Sequence, residues 1–330
     1  MPFRFYNPFE NLHLNDSTCF LTGVDIIHPD ENITVFPAWI LDRFLLRDQK
    51  FKMIDQVTSV LYGDLKLPCS AKVAKAFNDL EFKIQEAFNN GYDGVQSISS
   101  ENLFLWMSKI VYSVLYHDLL LEKTRLQKQD KVFRLSSRLK ERLGLFHLML
   151  QSLVSPVTFK GLEPWSISVV RLKYSKDIFN YRDDPVNLIF SLGMNGFGLI
   201  ACLQDSGLVK QTQKEILDKI NDVVLHPVQF EELCARFFYS NYLLHYQPKY
   251  NIEKNNAGIT IETLPVAADA GKPLFGKWDD SIFAQVLAEH WRPWGFTKKD
   301  IITVPNDPIS FLKNDYTHEF IAPDSIHLPY

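Results

Sequence analysis

The spacing of hydrophobic residues changes near the middle of the chain, and this change constrains the fold more than any other feature. Before about residue 155, apolar residues recur every three or four positions, as on the buried face of an α-helix. After it, several segments alternate apolar and polar residues, which is typical of half-buried strands. We therefore predict an α+β protein with a helical N-terminal half, residues 1–155. The C-terminal half, residues 156–330, is predicted to be a small antiparallel sheet with packed helices.

In the first half, one predicted helix begins after Ser99, a residue suited to an N-cap. It is apolar on more than one side, so we expect it to be central to its domain. A strand pair is predicted within residues 51–68, turning at Tyr62-Gly63-Asp64. Helices are predicted over about residues 37–46, 71–89, 99–118 and 130–154.

In the second half, Asn195-Gly196 is a strong hairpin signal, because both residues tolerate a positive φ. Thr212 and Glu215 have the spacing of a capping box. A further hairpin is predicted over residues 250–265. The other predicted strands cover about residues 165–174, 186–192 and 197–203, and the predicted helices cover 227–246 and 281–291.

Charge and composition narrow the class of protein. The chain has 35 basic and 39 acidic residues, whereas a dedicated nucleic-acid binder usually carries a basic excess. Net charge therefore does not support a nucleic-acid partner, although a local basic face stays open. No long apolar run or signal peptide is apparent, and four dispersed cysteines fit a reducing compartment. We expect a cytoplasmic protein without a membrane span, and the 13% of aromatic residues fits a homo-oligomer interface or a large core equally well.

Three segments of the first half follow one another in a suggestive order: Thr18-Cys19-Phe20-Leu21-Thr22-Gly23, Thr34-Val35-Phe36-Pro37-Ala38-Trp39 and Leu67-Pro68-Cys69-Ser70-Ala71-Lys72. Leu80-Glu81 follows them, and then Trp106-Met107-Ser108-Lys109-Ile110-Val111-Tyr112. Over roughly residues 15–120 this order resembles the HNH-type nuclease-like proteins built on a treble-clef zinc fold, including uncharacterised bacterial members.

The resemblance implies a zinc site made by two CxxC pairs and a catalytic His in a His-x-x-Pro-x-Trp segment. In that family a helix carrying a Leu-Glu pair follows the second CxxC, which usually precedes an Asn. This chain departs from the pattern at four positions. It retains Cys19 and Cys69, but it has Thr22, Thr34, Lys72 and Val73 where the family has Cys, His, Cys and Asn.

A structural zinc site requires four ligands, and two thiolates do not complete it. We therefore predict no catalytic residue, no metal and no cofactor, with Cys19 and Cys69 as vestigial, buried remnants. The alternative is a zinc site that recruits His13, Asp25 or His28 as replacement ligands.

Two further clusters are candidates for a site. Trp291, Arg292 and Trp294 combine residue types that are common anchors at binding surfaces, so they are the candidate binding residues. The alternative is that this stretch caps a helix and packs its aromatic rings onto the sheet.

The second cluster surrounds the start of a predicted helix at His226. There we expect Cys234 in the core, Glu231 and Glu232 either solvated or stabilising the helix N-terminus, and a surface ion pair made by Arg236. His147, on an apolar helical stripe, is expected to be a hydrogen-bonded core residue.

Three hypotheses for function follow. The first is a non-catalytic binding or structural protein that retains a degenerate HNH-like scaffold. The second is a metal-dependent nuclease with rewired ligands, such as His13 or His28. The third is an unrelated enzyme with its site in the C-terminal half or between the domains, for example near His226 and Glu231.

Overall fold

The computed structural model describes residues 5–28, 31–245, 248–256, 258–265, 273–314, 317 and 319–329. They form a mixed α+β structure, which confirms the predicted class. No helix in these ranges is long and apolar enough to cross a membrane. The chain divides into two compact units, and both are discontinuous in sequence. The first unit comprises Met1–Glu86, Ile98–Gly161 and Tyr250–Thr263, and the second comprises Ala87–Ser97, Leu162–Lys249 and Leu264–Tyr330.

The helices and strands of the described residues are numbered in chain order. The helices are α1 (Ala38–Arg43), α2 (Ala71–Asn89), α3 (Gly91–Gln96), α4 (Ser100–Gln127), α5 (Ser137–Leu150), α6 (Leu208–Thr212), α7 (Lys214–Ile220), α8 (Pro227–Tyr242), α9 (Asp280–His290) and α10 (Lys298–Ile301). The strands are β1 (Asn32–Thr34), β2 (Lys50–Lys52), β3 (Ser59–Leu61), β4 (Lys66–Pro68), β5 (Val157–Gly161), β6 (Ser166–Leu172), β7 (Asn180–Asp184), β8 (Ile189–Met194), β9 (Phe197–Cys202), β10 (Val224–Leu225), β11 (Tyr250–Asn255) and β12 (Gly258–Thr263).

The first unit is organised around α4. The Ser99 hydroxyl caps this helix by accepting from the Asn102 N–H at 3.2 Å, as predicted. Every residue of α4 from Leu103 to Tyr116 is buried, so the helix is central. The unit also contains the antiparallel pairs β1–β4 and β2–β3 and a sheet in the order β11-β12-β5, in which β12 and β5 run parallel.

Two local predictions for this unit are wrong. The predicted turn at Tyr62-Gly63-Asp64 is a single 3-10 turn after β3, whereas the β2–β3 hairpin turns earlier, where the Met53 N–H donates to the Thr58 carbonyl at 2.9 Å. The helix expected from about residue 130 begins at Ser137 instead. The reason is local, since the Ser136 hydroxyl caps the helix by accepting from the Leu139 N–H.

The second unit contains a five-stranded sheet in the order β10-β6-β9-β8-β7. Its pairs are antiparallel except β10–β6, which is parallel, so the predicted antiparallel sheet is correct apart from that edge. The Asn195-Gly196 hairpin is confirmed, with φ of 44° and 82°. Helix α8 packs on β9 so closely that a side chain on Gly198 would meet the Phe230 ring.

The capping box predicted for Thr212 and Glu215 does not form. Helix α7 starts at Lys214 without a side-chain cap, because the Thr212 hydroxyl donates instead to the Val209 carbonyl at 2.7 Å. The helix predicted over residues 227–246 ends at Tyr242.

Candidate functional site

The two cysteines of the HNH-like segments lie side by side in the first unit. Cys19 begins a tight turn in which the Gly23 N–H, at a left-handed φ of 68°, donates to the Cys19 carbonyl at 2.8 Å. Cys69 lies between β4 and α2. The Phe20 N–H donates to the Pro68 carbonyl at 2.9 Å, which brings the two cysteine-bearing segments together. Both thiols are free, and the two residues are 0% and 1% exposed.

The Cys19 sulfur lies beside Cys69, whose thiol donates to the Ser70 carbonyl at 3.6 Å. Its polar neighbours, Cys69 foremost and then the N–H groups of Ser70 and Leu21, lower the pKa of Cys19 below its ordinary value although burial opposes ionisation. The same sulfur contact, together with burial, raises the pKa of Cys69. The pair therefore gives up its first proton far more readily than its second.

Thr22, Lys72 and Thr34 stand where the resemblance would place two further zinc ligands and the catalytic His. The Thr22 hydroxyl is buried and has no hydrogen-bond partner among the described residues. The Lys72 ammonium donates to the Val154 carbonyl at 3.4 Å. Thr34 ends strand β1. None of the three supplies a thiolate or an imidazole.

The proposed replacement ligands do not fit the site either. His13, Asp25 and His28 are exposed, whereas both sulfurs are buried. Within the described part of the chain, no three or more His, Cys, Asp or Glu side chains form a group that could hold a metal ion. The described residues therefore fit a tetrahedral zinc site poorly.

An ion pair lies within the same unit and joins α2 to α4. The Lys109 ammonium donates to the Glu81 carboxylate, and their side chains are only 1% and 14% exposed. The ammonium also lies 5.8 Å from the centre of the Phe77 ring. Both charged residues belong to segments that carry the resemblance. Their contact leaves no signal in the sequence, because the two residues are distant along the chain.

His147 is a hydrogen-bonded core residue, as predicted. Its Nε2 donates to the Phe20 carbonyl at 2.8 Å, and its Nδ1 accepts from the Gln151 amide at 3.0 Å. Complete burial lowers the pKa of His147 to about 4, so the ring is neutral at physiological pH. Its position beside Phe20 supports the turn that carries Cys19.

In the second unit, Glu231 of α8 is the centre of a buried polar network. Its carboxylate accepts from His290 Nδ1 at 2.8 Å, from Arg182 Nε at 3.1 Å and from the Asn180 amide. Burial opposes ionisation, but these donors, His290 first, lower the pKa of Glu231. The donors come from β7 and from the end of α9, and no local sequence signal connects them.

The adjacent residue, Glu232, anchors a C-terminal segment. Its carboxylate accepts from Arg236 at 2.8 Å, from the Ser310 hydroxyl at 2.7 Å, and from the N–H groups of Phe311 and Leu312 at 2.7 and 3.1 Å. Both neighbouring glutamates of α8 are buried. The prediction that they are solvated is therefore wrong, because the fold supplies their donors.

His226 and Glu231 do not form a catalytic pair. His226 caps α8, its Nδ1 accepting from the Val228 N–H at 3.1 Å and its Nε2 contacting the Leu328 carbonyl at 3.0 Å. Cys234 is fully buried in the core, as predicted. Each of the two candidate residues thus has its own internal partners.

Asp205 is a buried carboxyl that no sequence pattern indicated. It accepts from the Ser166 hydroxyl at 2.6 Å, the Val209 N–H at 2.8 Å and the Gly207 N–H at 3.3 Å. Burial raises the pKa of Asp205 to about 6, although these donors favour the ionised form. Its contacts are those of a structural residue.

Of the candidate binding residues, Trp291 is wholly buried in a cluster with residues of α8 and α9 and donates to the Val228 carbonyl at 3.0 Å. Its ring also packs on those of Phe296 and Phe311, so it does not lie on the sheet. Trp294 is partly exposed and donates to the Pro329 carbonyl at 2.6 Å, and Arg292 is exposed. A binding role for Arg292 and Trp294 stays a prediction.

Two cavities, of about 240 and 120 Å³, open in the second unit, and Arg236 and Lys313 line both. Trp278 and Phe283 form an aromatic wall of the larger cavity, and the Arg236 guanidinium lies 5.4 Å from the centre of the Phe283 ring. Charged and aromatic side chains thus meet at a concave surface.

No family model, curated protein or solved structure matches the chain.

Proposed function

We propose that this chain is a non-catalytic binding or structural protein whose first unit retains an HNH-like treble-clef scaffold without its chemistry. The adjacency of the Cys19 and Cys69 segments, which the Phe20–Pro68 backbone bond joins at 2.9 Å, carries the proposal. Two cysteines that resemble one half of a zinc site are adjacent, as such a scaffold requires. Their expected companions are Thr22 and Lys72, which do not complete the site.

The order of parts around the thiols also supports this proposal. A tight turn begins at Cys19, β1 pairs antiparallel with β4, and α2 begins directly after Cys69 and Ser70. This is the order that the resemblance implies, with the first cysteine in a turn and the second leading into a helix. Because the order of secondary-structure elements does not determine activity, the residues of the site decide between a nuclease and a binding or structural protein.

The chemistry of the first unit argues against phosphodiester hydrolysis. Metal-assisted cleavage needs a base that activates water and a metal that holds the phosphate. Thr34 stands where the resemblance would place that base, and a threonine hydroxyl is too weakly basic to replace an imidazole.

Internal contacts take the place that a metal would hold in such a scaffold. The Cys69 thiol donates to the Ser70 carbonyl, the ion pair of Lys109 and Glu81 joins α2 to α4, and His147 holds the Phe20 segment. These contacts use polar groups for stability, which is the pattern expected of a structural unit. In the second unit, the two cavities beside Arg236 form a small concave surface lined by charged and aromatic side chains.

A nuclease assay on the purified full chain tests this proposal. Supercoiled DNA, single-stranded DNA and RNA would each be incubated with Mg²⁺, Mn²⁺ or Zn²⁺, and we expect no cleavage above the protein-free level. Metal-dependent cleavage that Cys69→Ala or Glu81→Gln abolishes would refute the proposal, provided that Cys234→Ala, a buried cysteine of the second unit, leaves that cleavage intact.

The rewired nuclease makes a distinct prediction in the same assay. It requires bound divalent metal and loss of cleavage on changing His13 or His28. The exposure of both side chains, against the burial of the two sulfurs, favours the non-catalytic proposal.

A further inference from the structure

The larger cavity of the second unit combines both signs of charge with aromatic rings. Its volume of about 240 Å³ is smaller than the roughly 300–1,000 Å³ of pockets that hold drug-sized ligands, so it suits a small metabolite. Two cations, two carboxylates and two aromatic rings line it, namely Arg236, Lys313, Asp280, Asp307, Trp278 and Phe283. None of these residues belongs to the segments that carry the HNH-like resemblance, so the cavity is independent of the proposed function.

The two signs of charge lie in different parts of this cavity. Arg236 and Lys313 also line the smaller cavity, so they stand at the boundary between the two cavities. Asp280 and Asp307 line the larger cavity alone, and both residues are exposed. The cations therefore lie on the side that adjoins the smaller cavity, and the carboxylates lie on the remainder of the rim.

The cations have donors that the fold does not use. The Nε and Nη2 atoms of Arg236 both donate to the Glu232 carboxylate, at 3.1 and 2.8 Å, and Glu232 is 0% exposed and fixed by the Ser310 hydroxyl at 2.7 Å. In the described ranges, neither Nη1 of Arg236 nor the Lys313 ammonium has a hydrogen-bond or ion-pair partner. Because Glu232 already balances Arg236, Lys313 supplies the net positive charge. This side of the cavity is thus prepared for an anionic group.

The rings of Trp278 and Phe283 form a rigid aromatic wall. Their centres are 4.6 Å apart and their planes are inclined by 53°. The Trp278 Nε1 donates to the Asp280 carboxylate at 3.0 Å, which fixes the indole, and Phe283 is buried with the Arg236 guanidinium 5.4 Å from its centre. A flat apolar group packs favourably on such a wall, because aromatic rings attract one another beyond the effect of buried area.

We propose that this cavity binds a free α-amino acid with an aromatic side chain. Its α-carboxylate accepts from Arg236 and Lys313. Its α-ammonium donates to the carboxylates of Asp280 and Asp307, and its ring packs on the aromatic wall. A simple anion or a simple cation fits less well, because each would meet like charge on one side of the cavity, whereas a zwitterion meets opposite charge on both.

Isothermal titration calorimetry of the full chain with L-phenylalanine tests the proposal. Two analogues each lack one charge, since N-acetyl-L-phenylalanine has no α-ammonium and L-phenylalaninamide has no α-carboxylate. We expect L-phenylalanine to bind and each analogue to bind at least about tenfold more weakly, because each loses charge-assisted hydrogen bonds. L-Alanine keeps both charges but lacks the ring, so it should also bind more weakly than L-phenylalanine.

Single substitutions at exposed or half-buried positions then locate the site. Lys313→Met should weaken the binding of L-phenylalanine but not that of L-phenylalaninamide, which has no carboxylate to lose. Asp307→Asn should weaken the binding of L-phenylalanine but not that of N-acetyl-L-phenylalanine. Lys219→Met is the matched control, because Lys219 lines only the smaller cavity and pairs with Glu215 at 2.9 Å. This control should bind L-phenylalanine as the unchanged chain does.

The proposal would be overturned by any of three results. The first is neither heat of binding nor a raised melting temperature with millimolar L-phenylalanine. The second is equal affinity for L-phenylalanine and its two analogues, which would show that the charges are not recognised. The third is binding that Lys219→Met abolishes and Lys313→Met leaves intact. The first two results come from the unchanged chain, so they stand even if a variant folds poorly, and none of the three affects the nuclease assay.

Discussion

Removing one charge of the Lys109–Glu81 pair should be far more damaging than removing both. Glu81→Met leaves the Lys109 ammonium without its partner at 1% exposure, and an uncompensated buried charge costs about 3–5 kcal/mol. Lys109→Met leaves the Glu81 carboxylate, which is 14% exposed and can turn toward water. We expect that single change to cost about 1–3 kcal/mol.

The double variant Glu81→Met/Lys109→Met places two apolar side chains of similar length in the same space. Replacement of a buried pair by apolar residues is often neutral, so the double variant should lie within about 1 kcal/mol of the unchanged chain. The two substitutions would then be strongly non-additive, as expected for groups in direct contact.

Urea unfolding followed by far-UV circular dichroism measures these free energies of unfolding. Lys75→Met is the matched control on α2, because it removes an ion pair with Asp79 whose side chains are 76% and 62% exposed. That control should cost less than about 0.5 kcal/mol. The reasoning would be refuted if the destabilisation of the double variant equalled the sum of those of the two single variants. It would also be refuted if Glu81→Met destabilised the chain no more than the control does.

Three other predictions concern Asp205, His147 and two glycines of the second unit. Burial raises the pKa of Asp205 from 3.8 to about 6, so its contribution to stability is present below about pH 4 and is lost as pH rises to about 6. Between these pH values the free energy of unfolding should fall by up to about 3 kcal/mol, and Asp205→Asn should remove this fall. Urea unfolding measured at several pH values tests this, and a variant with the same pH profile as the unchanged chain would contradict the burial argument. Burial lowers the pKa of His147 from 6.5 to about 4. The pH dependence is therefore the reverse of that of Asp205: His147 contributes its full stability above about pH 6.5, and this contribution is lost as pH falls to about 4. NMR titration of the imidazole should show a midpoint near the lower value, and a midpoint above pH 6 would contradict the burial argument. Gly198→Ala should destabilise the second unit by about 1–3 kcal/mol, because the added Cβ would lie 2.2 Å from a carbon of Phe230. Gly196→Ala meets no atom within 4 Å and should cost only about 1 kcal/mol for its φ of 82°, so thermal unfolding that ranks the two glycine variants in the reverse order would refute this reading.

The elements that the sequence predicted well have local signals. Helix α2 has the predicted bounds, because its apolar spacing is regular and Gly91 follows its end. The Asn195-Gly196 turn depends only on the two residues that form it. By contrast, β7 was missed, since its sequence Asn180-Tyr181-Arg182-Asp183-Asp184 has no apolar alternation and pairs only because β8 lies beside it.

The polar contacts were less predictable, because each depends on residues far apart along the chain. The adjacency of Cys19 and Cys69 followed only from the resemblance. Glu231 looked solvated because charged residues usually are, and only the folded chain supplies its donors from β7 and α9. Partners of this kind are set by tertiary structure and leave no periodic signal in the sequence.

The metal content of the purified full chain tests the central claim most directly. The protein would be prepared without chelators, and zinc would be measured by elemental analysis alongside protein concentration. We predict zinc far below one atom per chain, because only two thiols converge where a zinc site needs four ligands. About one zinc per chain, lost in Cys19→Ser and Cys69→Ser, would contradict it and would mean that these sulfurs have recruited further ligands.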